Sequence, residues 1–306
     1  MNELDENIQA SIFIPTKNPG PEFEDILKGI FAQKKVKFEV VIVDSGSNQR
    51  ILNMISKYPI KLYCIKPEEF GHGKTRNLAL KYTEGEYIVF MTQDAVPAND
   101  LWLYNLFGGF TDEKVAGVFS RQIPRADARA TEVFFYQHHF SGQRIIRPKQ
   151  GRENFLDKVF FSNVSSCVRR DIFEKYSFNE SLIMSEDQQW SHDVLRAGYQ
   201  TVYEPSSSVV HSHHYSLQQT AKRYFDSSFS LRQIFGADFK ILTKASAVYA
   251  TGEFRYALKQ NPGQIFYLFL FNLARTAGTF LGWHGERLPD WLKRKVSMHS
   301  YYWKKT

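Results

Sequence analysis

The chain has 306 residues, enough for one large domain or two small ones, with 43% hydrophobic and 23% charged residues. That balance excludes collagen-like, fibrous and disulfide-scaffold classes. The two cysteines, Cys64 and Cys167, sit in apolar stretches and read as buried free thiols in a reducing compartment. The net charge of +7 is unevenly spread: residues 216–306 carry 14 Lys and Arg against 5 Asp and Glu, whereas residues 1–215 carry 25 against 27. A basic, aromatic-rich tail points to a polyanion, either nucleic acid or an anionic membrane surface. The acidic stretch Met1–Gln9 has no apolar core of the kind that opens a secretory signal.

In chain order, the first half alternates strand and helix. Ala10–Ile14 is an apolar run ended by Pro15, hence a buried strand. Phe23–Gln33 places Phe23, Ile26, Leu27, Ile30 and Phe31 at helical spacing. Phe38–Val43 is a strand stopped by Asp44-Ser-Gly-Ser, Ile51–Lys57 a short helix, and Ile60–Ile65 a third strand. A helix over Thr75–Tyr82 and a strand over Tyr87–Met91 follow. Such alternation predicts an α/β fold with a mostly parallel sheet and helices on both faces. Ligands of such sheets bind beyond the carboxyl ends of the strands, which here carry Thr16-Lys17, Asp44-Ser45 and Gln93-Asp94. The middle predicts strands at Val115–Ser120, leading into Arg121-Gln122, and at Phe160–Val168. Helices are expected at Arg170–Lys175 and Ser185–Ala197, and short strands at Thr201–Tyr203 and Val209–His211. After Ser216 the pattern is helical only, broken near Asn261-Pro262-Gly263 and at Pro289.

Several short motifs carry chemistry. Phe70-Gly-His-Gly-Lys-Thr75 is not a P-loop, because the first glycine of that motif would fall on Glu68. It still suits a phosphate: Gly71 and Gly73 allow close backbone approach, and His72, Lys74 and Arg76 offer donors; the bland reading is a solvated loop. Asp44, at the end of an apolar strand, can accept the N3–H of a uracil or thymine ring or simply cap the next turn. In Thr92-Gln93-Asp94-Ala95, Asp94 suits a divalent metal that bridges a diphosphate, or a turn cap before Pro97. Glu186 and Asp187 open a helix, whose N-terminus favours their ionised forms. A carboxylate there can remove a hydroxyl proton, although first turns often carry acids without chemistry. Val210-His211-Ser-His213-His214 holds three histidines; on a strand His211 and His213 share one face, so that one imidazole completes the Asp94 metal site.

The order of these segments is more specific than any one of them. Ile12-Phe-Ile-Pro-Thr-Lys-Asn, Val41-Ile-Val-Asp-Ser-Gly-Ser, Gly73-Lys-Thr-Arg-Asn-Leu-Ala, Phe90-Met-Thr-Gln-Asp-Ala and Glu186-Asp-Gln-Gln-Trp together resemble the family 2 glycosyltransferases with a GT-A fold, over about residues 10–215. Glu69-Phe-Gly-His-Gly-Lys-Thr-Arg-Asn, Thr-Gln-Asp-Ala and Phe161-Ser-Asn-Val-Ser-Ser resemble the bacterial rhamnosyltransferase branch. The resemblance implies inverting transfer of a sugar, L-rhamnose from dTDP-L-rhamnose, with Mg2+ or Mn2+. Asp94 matches the last acid of the Asp-x-Asp motif, while Thr92 replaces the first. Asp187 matches the base, and Glu186 orients it. Pro15, Thr16, Asp44 and Arg76 match donor-site positions, joined in this reading by His72, Lys74 and Gln93. His211 most nearly matches the metal-side histidine, with His213 second. The implied acceptor is a polyprenyl-diphosphate-linked glycan at the cytoplasmic face of a bacterial membrane.

The expected organisation is therefore a catalytic domain over residues 1–215, with a donor half at about 10–120 and an acceptor half at about 121–215. A helical, basic region over 216–306 follows. Within it Gln264–Trp283 has apolar residues at Phe266, Phe269, Leu270, Leu273, Ala277, Phe280 and Leu281, interrupted by Asn272, Arg275, Thr276 and Thr279. A mid-helix Arg is costly in hydrocarbon, so a helix lying in the membrane interface is favoured over a span. Trp291-Leu-Lys-Arg-Lys295 and Tyr301-Tyr-Trp-Lys-Lys305 add aromatics beside basic residues, which suits anionic headgroups. The competing reading of this helix is a protein contact, and a homo-oligomer is left open. A processive synthase is disfavoured because Gln189-Trp190 and the tail lack Gln-x-x-Arg-Trp. A nucleic-acid binder is disfavoured because no recognition motif is present. A UDP-hexose donor, or nucleotide binding without turnover, are the remaining alternatives.

Overall fold

The computed structural model describes residues 9–148, 155–236 and 239–304. The reading of the acidic first residues, and Lys305 of the tail, lie outside them. Among the described residues nine strands form one sheet: β1 Gln9–Thr16, β2 Lys37–Asp44, β3 Ile60–Cys64, β4 Tyr87–Met91, β5 Val96–Pro97, β6 Val115–Ile123, β7 Ile145–Arg147, β8 Ser165–Arg169 and β9 Gln200–Val210. Their order is β3-β2-β1-β4-β8-β6-β9-β5, with β7 on β9. β3, β2, β1 and β4 are parallel to one another. β8 runs antiparallel between β4 and β6, and β6 and β9 are again parallel. The expected α/β class holds, with the parallel character concentrated in the first four strands.

Register brings the informative ends together. Thr16 pairs with Asp44, Phe13 with Phe90, and Met91 with Ser165, so β1, β2 and β4 end on the edge from which β8 starts. Gln122 pairs with Val209 and Ile123 with Val210, which carries the ends of β6 and β9 to the same edge. The strands are buried on both faces: Val40 to Val43 are at most 1% exposed in succession, and successive side chains point oppositely. The helix Phe23–Phe31 adds Phe23, Ile26, Leu27 and Ile30 to this core, as their spacing predicts.

Several expectations need correction. The helix expected at Thr75–Tyr82 begins at His72 and breaks into His72–Asn77 and Ala79–Tyr82. The strand expected from Phe160 begins only at Ser165, because the Asn163 N–H turns to the Asp187 carboxylate rather than to a neighbouring strand. The two short strands near residues 201 and 209 are one strand, β9. Its register to β6 jumps from Ser120↔Glu204 to Arg121↔Ser208, so three residues bulge out between the halves. His211 lies just past the end of β9, where its N–H donates to the Ile123 carbonyl, so the strand-face argument for His211 and His213 does not apply. Helices at Trp102–Phe107 and Ala130–His139 were not foreseen. Cys167 is buried, but Cys64 is exposed, because β3 is an edge strand.

The chain groups into two compact units. One takes residues through Ile123, Phe140–Ser181 and Glu186–His211, and thus the whole sheet. The other takes Pro124–His139, Leu182–Ser185 and Ser212–Thr306, so it begins earlier along the chain than a cut at 215. It is helical, built on Ala130–His139, Leu217–Phe235, Phe239–Gln260, Ile265–Trp283 and Asp290–Val296. Its apolar clusters are small: Ile183, Phe225, Phe229 and Trp303 in one, Ala130, Ala257 and Leu268 in another. Polar pairs share the interior. Arg275 donates to Glu253 at 3.1 Å and lies over the Tyr249 ring, while Asn272 donates to the same carboxylate. Asp226, fully buried, accepts the N–H groups of Met298 and His299; burial pushes its carboxyl up to about 6.

The helices Leu217–Phe235 and Ile265–Trp283 pack backbone against backbone. A Cβ at Gly278 would run into the Ala221 carbonyl, and one at Gly282 into that of Phe225. Gly278→Val should therefore force the helices apart. Overpacking of this kind costs about 1–3 kcal/mol, and the thermal midpoint followed by circular dichroism should fall by several degrees.

Candidate active site

At the ends of β1 and β2, Thr16 Oγ1 donates to Asp44 Oδ2 at 2.9 Å, and the Gly46 and Ser47 N–H groups donate to Asp44 Oδ1 at 2.9 and 2.8 Å. Asp44 is 1% exposed. Its carboxylate thus shapes the loop after β2, where Gly46 takes a left-handed φ of 109°. Of the two roles open to Asp44, the turn cap is the one these contacts realise. Pro15 sits half-buried one residue before Thr16. Gln93, after β4, accepts the Lys17 N–H at 2.8 Å and thereby ties the β4 loop to the β1 loop. Lys17, named at this strand end from the sequence but given no role there, is exposed at the junction.

The segment His72–Asn77 makes close contacts with the protein's own chain. Gly73 is buried, and a Cβ there would lie 2.6 Å from the Asn179 carbonyl, so the close approach it permits is to the protein's own chain. Asn77 donates to the Phe178 carbonyl and accepts the Phe178 N–H, at 2.9 and 3.0 Å. Arg76, 6% exposed, donates from Nη1 to Glu186 Oε1 at 3.0 Å. Only Lys74 is exposed to meet an anion. His72 lies beside Arg76, its ring 3.5 Å from the guanidinium. The motif that suggested phosphate binding therefore anchors the segment before the helix Glu186–Arg196 and pairs with that helix's first acid.

Asp187 is held from two sides. The Asn163 N–H donates to Oδ2 at 3.1 Å and the Gln188 N–H to Oδ1 at 2.9 Å. Removal from water, reinforced by the neighbouring Glu186 charge, pushes the Asp187 carboxyl up to about 7, against the pull of those N–H groups and of Arg76. A base titrating near neutrality combines a populated ionised form with real proton affinity. Trp190, one turn on, packs on Phe161 and against Gly117, where a side chain would clash. Asn163 was quoted only as part of a longer resemblance; its role as a clamp on Asp187 had no local signal.

Asp94 and His211 come together from β4 and β9: Asp94 Oδ1 lies 3.5 Å from His211 Nε2. Ligand atoms sharing one ion with bonds near 2.1 Å are about 3.0–3.4 Å apart, so this pair at 3.5 Å needs only a small closure to share a divalent cation. Both belong to a group of side chains able to hold a metal. His213 follows two residues along, in the second unit. Gln122 faces the other ring nitrogen, His211 Nδ1, at 3.1 Å. Thr92, in place of a first acid, uses its N–H on the Val164 carbonyl.

The near-neutral Asp187 generates a prediction. With Asp187 as the base that the sequence leads one to expect, kcat/KM should rise with pH up to an apparent value near 7. Glu186→Gln removes the charge that opposes ionisation, so the acid limb of the profile should shift to lower pH. An unshifted limb would break the link between the two acids.

Comparison with known proteins agrees with this geometry. The model of glycosyl transferase family 2 matches residues 11–177. The chain is 31% identical over 302 residues to the O-antigen chain rhamnosyltransferase RfbN of Salmonella typhimurium, covering 97% of this chain and 96% of that one. It is also 31% identical over 299 residues to WbaN of Salmonella anatum, another O-antigen chain rhamnosyltransferase, covering 96% and 95%. Among solved structures, the mannosyltransferase PcManGT from Pyrobaculum calidifontis, in complex with GDP-Man and Mn2+, superposes with a TM-score of 0.56 at 17% identity, covering 94% of this chain and 72% of that one. That superposition supports the fold. The matched family residues and the near-complete alignment to two rhamnosyltransferases show that this chain is a family 2 glycosyltransferase of GT-A fold, in the bacterial rhamnosyltransferase branch.

Proposed function

We propose that the protein transfers L-rhamnose from dTDP-L-rhamnose, with inversion, to a lipid-linked glycan acceptor in cell-surface polysaccharide synthesis. The observation that carries the reaction class is the delivery of a near-neutral carboxylate, Asp187, and an Asp–His pair to one edge of one sheet. The choice of sugar rests on the likeness to the two Salmonella enzymes. Asp187 takes the proton of the acceptor hydroxyl as its oxygen bonds to the anomeric carbon, and the bond from that carbon to the diphosphate breaks on the opposite side. Glu186, held by Arg76, keeps Asp187 basic enough for this step. Asp94 and His211 would hold the cation, Mn2+ suiting a mixed carboxylate and imidazole pair better than Mg2+. Such a cation supplies Lewis-acid neutralisation of the diphosphate charge. Lys74 and Lys17 are the exposed cations that flank the donor loops. Asp44 would serve donor binding through the shape of the loop after β2.

Asp187→Asn should retain dTDP binding and fold while transfer to a polyprenyl-diphosphate-linked acceptor falls roughly 10²–10⁴-fold, read by mass spectrometry. Near-parent transfer would remove Asp187 from the chemistry. Preference for UDP-hexoses in the same assay would reject rhamnose and leave the reaction class standing.

The helical unit supports attachment to an anionic membrane. Pro262–Trp283 is the one helix among the described residues long and apolar enough to cross a membrane, with mean hydropathy 1.3 and 22% buried. Its Arg275 turns inward to Glu253, while Phe266, Phe269, Leu273 and Phe280 are 74%, 57%, 60% and 52% exposed. Those positions form one uncharged stripe at helical spacing. Trp291 is 66% exposed beside the exposed Arg294 and Lys295, and the net charge of residues 216–306 is +9. An apolar stripe flanked by aromatic and basic groups suits the headgroup region of an anionic leaflet better than a span. The full chain should float with anionic liposomes, less so at high salt. A triple variant, Phe266→Ser, Phe269→Ser and Leu273→Ser, should float at least about tenfold less, since each buried side chain contributes about 1.5–3 kcal/mol. Equal flotation of parent and variant would sink the membrane role.

A further inference from the structure

The pair Asp94–His211 raises a question of proton placement. An imidazole ligates a cation through a nitrogen that bears no proton, so the proton must sit on the other nitrogen and be held there. His211 Nε2 faces Asp94 at 3.5 Å, and Nδ1 faces Gln122 Oε1 at 3.1 Å. The Gln122 amide is oriented in turn: its Nε2 donates to Ser162 Oγ at 2.9 Å, which turns Oε1 toward the ring. An amide oxygen only accepts, so Nδ1 must donate to it and carry the proton. That leaves the Nε2 lone pair directed at the side of Asp94. His211 is 5% exposed and Gln122 5% exposed, so water does not compete freely for Nδ1.

The strands make this contact possible. Gln122 pairs with Val209 in the parallel β6–β9 ladder, and His211 follows two residues later, with its N–H on the Ile123 carbonyl. This alignment exists only because three residues of β9 bulge out after Glu204. Without the bulge the register beyond Ser120 would differ by three residues, and Gln122 would not lie beside His211.

We infer that Gln122 is a positioning residue that fixes the Nδ1–H tautomer and ring orientation of His211, so that Nε2 would ligate the catalytic cation together with Asp94. This rests on the reading of Asp94 and His211 as the cation site. It also bears on Thr92: with the first acid missing, the affinity of the site depends more heavily on the histidine being correctly poised.

The test uses the full chain and Mn2+ as the probe, with affinity measured by calorimetry and by electron paramagnetic resonance. Gln122→Met keeps the volume but removes the acceptor, and should weaken Mn2+ binding roughly 10–100-fold. Gln122→Glu restores an acceptor and should bind within a few-fold of the parent or tighter. Circular dichroism should show all variants folded, and ¹⁵N chemical shifts of labelled histidine should show the Nδ1–H tautomer of His211 in the parent and its loss in Gln122→Met. If Gln122→Met binds Mn2+ like the parent while His211→Ala does not, the role of Gln122 is overturned and the cation site stands. If neither substitution changes Mn2+ affinity, the cation site and the role of Gln122 fall together.

Discussion

The buried ion pair between Arg76 and Glu186 is the contact on which the arrangement of the site depends. It joins side chains 110 residues apart, at 3.0 Å, with 8% and 6% of their side-chain surface exposed. Two charges so far from water are retained only when each satisfies the other, and removing one partner of such a pair costs about 3–5 kcal/mol. Around it, Asn77 holds the Phe178 backbone at both its N–H and its carbonyl, and Gly73 lets the Asn179 carbonyl approach. The helix after β3 is thereby locked to the chain that leads into Glu186–Arg196. Where that helix begins is where Asp187 stands.

Three acids at one sheet edge show how environment divides labour. Asp44 accepts from Thr16 and from the N–H groups of Gly46 and Ser47, and thereby shapes the loop after β2. Asp94 faces an imidazole at 3.5 Å, close to the spacing of two ligands on one cation. Asp187, half-buried beside a second carboxylate, has its carboxyl pushed up to about 7 and suits proton abstraction. The residue type is the same in all three; the neighbours decide the chemistry.

The helical unit inverts the usual amphipathic arrangement along one helix. Arg275 and Asn272 point inward to Glu253, and phenylalanines and a leucine point outward. A buried, satisfied charge avoids the cost of placing Arg in hydrocarbon, and it leaves the opposite face uncharged. The sequence reading treated Arg275 as an interruption of an apolar helix. In three dimensions it belongs to the other side of that helix and does not interrupt the stripe.

By itself the sequence determined the strands β1, β2, β3 and β4, because each is a run of apolar residues closed by a turn signal, and such runs are legible locally. It also determined that Asp44, Asp94 and Asp187 lie where chemistry is expected, because an acid at the end of an apolar strand or the start of a helix stands out by position. The family resemblance added roles to these positions. Tertiary structure alone decided the partners. Arg76 reads as a donor for phosphate, and only the fold shows that it also holds Glu186, while Gln122 has no signal at all until the β9 bulge brings it to His211. Asn163 is likewise silent, since its part is played by a backbone N–H. Periodicity reports which face of an element is buried; it carries no information about which residue, a hundred positions away, is pressed against that face, and it is those long-range pairings that set proton affinity and ligand geometry.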